Sequence, residues 1–306
     1  MVNIMEQAHF KKYQHVESLR SSEVEGIDKG KVYIFPKLDG TNASIWVELD
    51  DNNEYVICGG SRNNKLTVQW DNAGFYKHVL EHPEYKEYLL KHPTYIVYGE
   101  WLVPHTIKDY EVHAWKKFYV FDVFDTVMSR YLSYEEYCAE LTEAGFDVIP
   151  PMTILDSPDL TEETLNNLIV NNHYLMKDNE HIGEGIVIKN YEYRNAYGRT
   201  TWAKVVNVAF KTNSRAKCKG GVPPTVEDVI LDALLTEEAI THEVLKFEDE
   251  YGKYEAKNYK MMLGLVWKGW IEDNIWKVIS KAGKNSINFT TLRHKAEIRV
   301  KEYYPL

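Results

Sequence analysis

The sequence predicts an α+β protein: an antiparallel β-sheet domain followed by an all-helical C-terminal domain. Short apolar runs rich in β-branched and aromatic residues, each closed by turn formers, recur from Lys31 to Val206. Gly220-Gly221-Val222-Pro223-Pro224 is the strongest punctuation in the chain, and beyond it the apolar residues fall at helical spacing. At 306 residues the chain is long enough for two domains, and these signals divide it into 1–215 and 216–306.

The first strands are expected at Lys31 to Phe35, Ala43 to Glu48 and Tyr55 to Gly59, forming an antiparallel meander with Asp51-Asn52-Asn53 as one of its turns. One helix is expected over Asn72 to Lys91, then strands at Tyr95 to Trp101 and Phe118 to Phe124. Ser133 followed by Glu136 spells a capping box for a helix to Ala144, and Thr161 opens another that runs to Val170. Strands return at Gly185 to Tyr191 and Thr200 to Val206. The tail reads as helices over Thr225 to Glu250, Glu255 to Ala282 and Asn288 to Tyr304. On the middle one, Trp267, Trp270 and Trp276 are expected in an apolar core stripe.

A net charge of −10 argues against a surface coated with positive potential for nonspecific nucleic-acid binding. The distribution matters more. Lys189, Arg194, Arg199, Lys204, Lys211, Arg215, Lys217 and Lys219 face only Glu192 in their stretch, whereas Glu227 to Glu255 is strongly acidic and the last fifty residues are basic again. Cys58, Cys138 and Cys218 are too few and too scattered for a disulfide framework or a zinc site, which suits a reducing, cytoplasmic setting. The first twenty residues lack an apolar core, so no signal peptide is expected. Lys268, Glu272, Asp273 and Lys277 interrupt the most apolar helix, so no membrane span is expected either. The eleven histidines are read as surface or hydrogen-bonded core residues, not as a zinc centre.

Chemistry concentrates at Lys37, which opens Lys37-Leu38-Asp39-Gly40-Thr41-Asn42 at the end of an apolar strand. Strand alternation would point Lys37 and Asp39 the same way, burial would favour the neutral amine as a nucleophile, and Gly40 would let backbone approach a phosphate. Alone, these six residues more readily describe a strand-to-turn junction. Four further segments change that balance: Tyr98-Gly99-Glu100, Phe118-Tyr119-Val120-Phe121-Asp122, Glu184 to Lys189, and Thr201 to Val206 with Lys204. Lysine, glutamate, aromatic, glutamate and lysine, each borne on a strand in this order, are difficult to obtain by chance.

In these segments the chain resembles the ATP-dependent RNA ligases of the covalent nucleotidyltransferase superfamily, and within them the phage RNA ligase 2 branch. Lys37, Glu100, Phe118, Glu184 and Lys204 stand at motifs I, III, IIIa, IV and V, and the similarity covers roughly residues 8 to 212. The resemblance implies an ATP-grasp-like ligase adenylation fold, with ATP and Mg²⁺ or Mn²⁺ as cofactors. Its RNA partner would carry 3′-hydroxyl and 5′-phosphate ends, in a nicked duplex or a structured RNA. It implies that Lys37 attacks the α-phosphorus and carries AMP, which passes to the RNA 5′-phosphate and is expelled by the 3′-hydroxyl. Lys204 and Lys189 would flank the phosphoryl centre, Glu184 would hold the metal, and Glu100 would bind the ribose. Phe118 would stack on adenine, Arg62 would clamp phosphate, and Asp39 and Asn42 would complete the nucleotide site.

Asn42 favours RNA, because DNA ligases and capping enzymes usually place Arg there. Motif V lacks a second lysine, since Val206 stands in its place, and Lys211 or Arg215 would have to supply that charge. Pro36 stands where some relatives carry an acid, leaving ATP over GTP as an expectation. A DNA nick ligase or capping-type guanylyltransferase is the nearest alternative, but each usually adds an OB-fold where this tail reads helical. A noncatalytic RNA-binding protein on the same fold is the other. In the tail, Lys277, Lys281, Lys284, Arg293, Lys295 and Arg299 form the basic run expected to meet RNA.

Overall fold

A computed structural model describes residues 7–178, 180–206, 225–283 and 285–306. The chain divides into two compact units, Met1–Val206 and Asn207–Leu306. The boundary expected near residue 215 lies outside the described residues, as do Lys211, Arg215, Lys217, Cys218, Lys219 and Lys284.

The first unit carries two sheets. One has the order β1 (Glu17–Ser18), β11 (Ala203–Val206), β10 (Gly185–Lys189), β2 (Lys31–Lys37) and β9 (Thr153–Asp156). The other runs β4 (Tyr55–Ser61), β3 (Thr41–Leu49), β5 (Tyr95–Trp101), β6 (Phe118–Asp125) and β7 (Arg130–Tyr131), with β8 (Asp147–Val148) beside β6. Pairing is antiparallel except for β1 with β11 and β6 with β8. This is the α+β class the sequence predicts, with one correction. The expected meander of the first three strands does not form, because β2 pairs with β9 and β10, while β3 and β4 build the second sheet. Leu38, Asp39 and Gly40 carry the chain from one sheet to the other.

Helices cover the outer face of each sheet. Phe75, Val79, Tyr85 and Leu89 from α1 (Phe75–Glu81) and α2 (Pro83–Lys91), with Tyr137 and Leu141 from α3 (Tyr134–Glu143), bury one face of the second sheet. The expected single helix over 72–91 breaks at His82 because Pro83 offers no N–H and starts a new helix at its first position. The capping box at Ser133 and Glu136 forms as the sequence predicts. Leu165 and Ile169 of α4 (Glu162–Val170) pack with Val32, Ile34, Ile186 and Ile188 outside the first sheet. Between the sheets lies a third, aromatic layer containing Tyr13, Trp46, Tyr98, Phe124 and Trp202.

The second unit is helical: α5 (Val226–Leu234), α6 (Glu237–Tyr251), α7 (Tyr259–Ala282) and α8 (Phe289–Tyr303). Its core holds Ile230, Val244, Phe247, Val266, Trp270 and Val278, with Trp267 half-buried against it. Trp276 departs from the expected stripe and is exposed. Three of the cations expected to meet RNA have partners within this unit: Lys295 with Asp228, Arg299 with Asp232, and Arg293 with Glu297. The first two tie α8 to α5. Among the described residues, no helix is long and apolar enough to cross a membrane.

Candidate active site

Lys37 closes β2 opposite Gly185, and its amine donates to Glu184 Oε2 at 2.5 Å. The glycine makes that approach possible. A Cβ on Gly185 would lie 2.1 Å from the Val205 carbonyl oxygen, so no larger residue lets β10 close on β11 while Glu184 faces Lys37. Gly185→Ala is accordingly expected to cost about 1–3 kcal/mol by overpacking, read by chemical denaturation, and to lower activity by shifting Glu184. Unchanged stability would show that the strands yield freely.

Register assigns the neighbours. Phe35 lies opposite Val187 and Val187 opposite Lys204, so Lys37 and Lys204 share one face of the first sheet. Lys189, opposite Tyr33, is on that face too, but at the far end of the strand. There its ammonium contacts Asp122 Oδ1 at 2.8 Å and donates to the Phe121 carbonyl at 2.6 Å. The rings of Phe35 and Trp202 lie 4.8 and 5.5 Å away. Asp122 also accepts from Tyr13 and from Trp202 Nε1. Burial pushes the Lys189 ammonium down and the Asp122 carboxyl up, and each charge counters part of the shift in the other. Lys189 therefore links the two sheets instead of flanking a phosphate, which corrects its expected role. A lysine that could serve either purpose could not be sorted without knowing that Asp122 faces it.

On the second sheet Asn42, Glu100 and Tyr119 are cross-strand partners on one face. Glu100 Oε1 accepts from the Gly40 N–H at 3.0 Å. Gly40 is packed against Trp101, whose carbonyl oxygen would lie 2.5 Å from an added Cβ. The close approach expected for a phosphate is thus made here by backbone. Asp39 is buried, accepting from the Ile107 N–H at 2.6 Å while its own N–H donates to the Tyr110 hydroxyl at 2.9 Å. Because β2 ends at Lys37, strand alternation does not extend to Asp39, and this carboxylate ties the turn to the segment after β5.

Phe118 is a second correction. It is opposite Trp101 and wholly buried with Phe75 and Tyr85 on the helix-covered face, so it cannot receive adenine. The ring on Glu100's face is Tyr119, its hydroxyl donating to the Ala114 carbonyl at 3.1 Å. Strand alternation is the signal that would have separated the two. Arg62, just past β4, is partly exposed, with Nη2 3.3 Å from His15 Nδ1. Asn72 was not foreseen: buried before α1, it donates to Thr41 Oγ1 at 3.0 Å and lies 3.5 Å from the Asn42 carbonyl. His78 and His82 stand four residues apart on α1 and at its end, with ring centroids 3.8 Å apart and planes tilted by 36°, and burial lowers His78 to about 4.

Burial raises Glu100 to about 7; Lys37 and the Gly40 N–H oppose the shift, and the charge of Glu184 adds to it. A carboxyl whose folded value exceeds its ordinary 4.5 holds its proton longer in the fold, so stability falls as pH rises through the interval from 4.5 to about 7. Glu100→Gln keeps an acceptor for Gly40 and removes the titration. The variant is expected to gain stability relative to the wild type between about pH 5 and about pH 8, measured by denaturation at each pH. A constant difference would contradict the assignment. Two carboxylates close enough to repel, sharing the ammonium of Lys37, also form a hard-oxygen donor set with negative charge to neutralise. That fits a divalent cation such as Mg²⁺ or Mn²⁺.

Residues 30–206 match the family model described as RNA ligase, which spans more than half of the chain. The chain belongs to the RNA ligase family. Among solved structures it is similar to an RNA ligase of Naegleria gruberi. With the pyrophosphate-bound form the identity is 21%, with 66% of this chain and 57% of that chain covered and a TM-score of 0.49. With a variant holding AMP and manganese the values are 20%, 65%, 56% and 0.49. With a variant holding ATP and manganese they are 19%, 64%, 56% and 0.47. The chain spans a little over half the length of these structures. Comparison with curated proteins finds no match.

Proposed function

We propose that this protein is an ATP-dependent RNA ligase joining 3′-hydroxyl and 5′-phosphate ends through a lysyl-AMP intermediate. The observation that supports this most is the Lys37 amine held 2.5 Å from Glu184, in a member of the RNA ligase family with Lys204 on the same sheet face. Glu184 stands where the amine must lose a proton. Lys37 Nζ then bonds to the α-phosphorus of ATP, the bond from that phosphorus to the bridging oxygen breaks, and pyrophosphate leaves with the electron pair. An oxygen of the RNA 5′-phosphate next attacks the AMP phosphorus, breaking the nitrogen–phosphorus bond and returning the amine. The 3′-hydroxyl finally attacks the activated 5′-phosphate, loses its proton and expels AMP.

Phosphoryl transfer asks the protein mainly for position and positive charge. Lys204 offers charge on the face that carries Lys37, and Glu100, with Asn42 across the strand pair, offers polar groups to the nucleoside. Arg62 offers a bidentate donor to an RNA phosphate. Bound at Glu184, Mg²⁺ or Mn²⁺ would neutralise phosphate charge and favour departure of pyrophosphate. In this reading residues 1–215 perform adenylyl transfer and the helical unit adds RNA contact. The test is incubation with α-labelled ATP and Mg²⁺, followed by a sealing panel of single-stranded, nicked duplex and hairpin RNA and DNA. A labelled protein with RNA sealing is expected. A label from GTP alone would point to guanylyl transfer, preference for DNA nicks to a DNA ligase, and RNA binding without any adduct to a noncatalytic binder.

A further inference from the structure

The turn between β4 and α1 presents an indole to solvent two residues before Asn72, which bonds Thr41. Trp70 is 48% exposed and Val68 70% exposed. The turn is not loose. Thr67 N–H donates to the Trp70 carbonyl at 3.1 Å, and Trp70 N–H donates to the Thr67 carbonyl at 3.2 Å and to its hydroxyl at 3.1 Å. Leu66 N–H is bonded to the Gly59 carbonyl at 2.8 Å, which anchors the segment to β4. At its other end Asn72 holds Thr41, so the turn is wired to the residues that follow the nucleophile.

The charges carried by this connection select the partner. Arg62 opens the segment. The acid next to the indole, Asp71, is occupied in accepting from the N–H groups of Asn72, Tyr76 and Lys77 at the start of α1. A preorganised aromatic face on the same β4–α1 connection as an arginine, with the adjacent carboxylate engaged by backbone, suits a chain of stacked bases and phosphates better than an apolar protein surface. We propose that Trp70 is an RNA contact, stacking on a base of the strand whose phosphate Arg62 engages. This rests on the ligase reading for its substrate, but its test reads RNA affinity alone.

The experiment is equilibrium binding of the full-length protein to a nicked RNA duplex and to single-stranded RNA over a range of salt. Trp70→Ala is expected to weaken binding by about 5- to 100-fold on at least one of these RNAs. Trp70→Phe, which retains a π face, should recover most of the loss. Because stacking releases no counterions, Trp70→Ala should leave the slope of log affinity against log salt unchanged, whereas Arg62→Ala should reduce it by about one. Lysine adenylylation with ATP alone should stay at the wild-type level in Trp70→Ala. Affinity within twofold of wild type on both RNAs, or a Phe variant no better than Ala, would overturn the proposal. Absence of an adduct in the wild type would instead overturn the ligase chemistry and leave this comparison intact.

Discussion

Lys37→Ala is expected to lower formation of the protein–AMP adduct by about 10³-fold or more, because no other group can take the place of the bond-forming amine. Lys37→Arg should fail equally: a guanidinium stays protonated and has no lone pair to offer phosphorus. Two further measurements separate lost chemistry from lost structure. Removing Lys37 takes away one ion pair of Glu184, and the remainder of the strand register is set by backbone pairing from Lys31 to Pro36, so the fold should persist. RNA supplied with a preformed adenylylated 5′ end bypasses the lysine, and Lys37→Ala should still seal it at a measurable rate in Mg²⁺. Adduct retained in Lys37→Ala would assign the nucleophile elsewhere.

Lys189→Met is expected to have the largest effect on stability, about 3–5 kcal/mol, because it strands the Asp122 carboxylate between the sheets. Tyr13 and Trp202 would still donate to that carboxylate, but neither brings positive charge. Removing the acid as well, in Lys189→Met with Asp122→Asn, should restore a good part of the loss, since the uncompensated charge causes most of it. Urea denaturation of the two single variants and the double variant gives the coupling energy. Additive losses would mean that the two groups do not depend on one another. The same series tests the correction to Lys189: a residue that bridges sheets should affect stability first, whereas a phosphate ligand would affect turnover in a protein of normal stability.

Much of the site was readable because each of its segments is local. Lys37, Glu100 and Lys204 stand on strands and Glu184 just before one, each among apolar neighbours and with a glycine next to each glutamate, and the structure brings Lys37, Glu100 and Glu184 together with Lys204 on the same face as Lys37. What escaped depended on partners distant in sequence. The turn at Leu38 to Gly40 reads as a hairpin link until β2 is seen to pair with β10. The register shift between Tyr98 and Gly99 governs how β6 faces β5, and it is this pairing that turns Phe118 to the helix-covered side and Tyr119 to the side of Glu100. Arg299 and Lys295 looked like an RNA-facing row because the acids that engage them, Asp232 and Asp228, lie on another helix. Pro83, by contrast, marks the break between α1 and α2 in the sequence itself.

The two sheets differ in how far along the chain their partners lie. The second pairs β3 with β4 and β5, then β5 with β6, each soon after the last. The first must wait: β1, made almost at the outset, pairs with β11, and β2 pairs with β10. Long-range pairing of that kind is slow, since chain entropy must be given up before contacts compensate for it. During synthesis, Lys37 therefore emerges long before Glu184, the group that will hold its amine. In the proposed reaction the nucleophile would be completed by the last strands to form, so a truncated chain is expected to carry the lysine without the chemistry. Adduct formation would then report that the whole first sheet has closed.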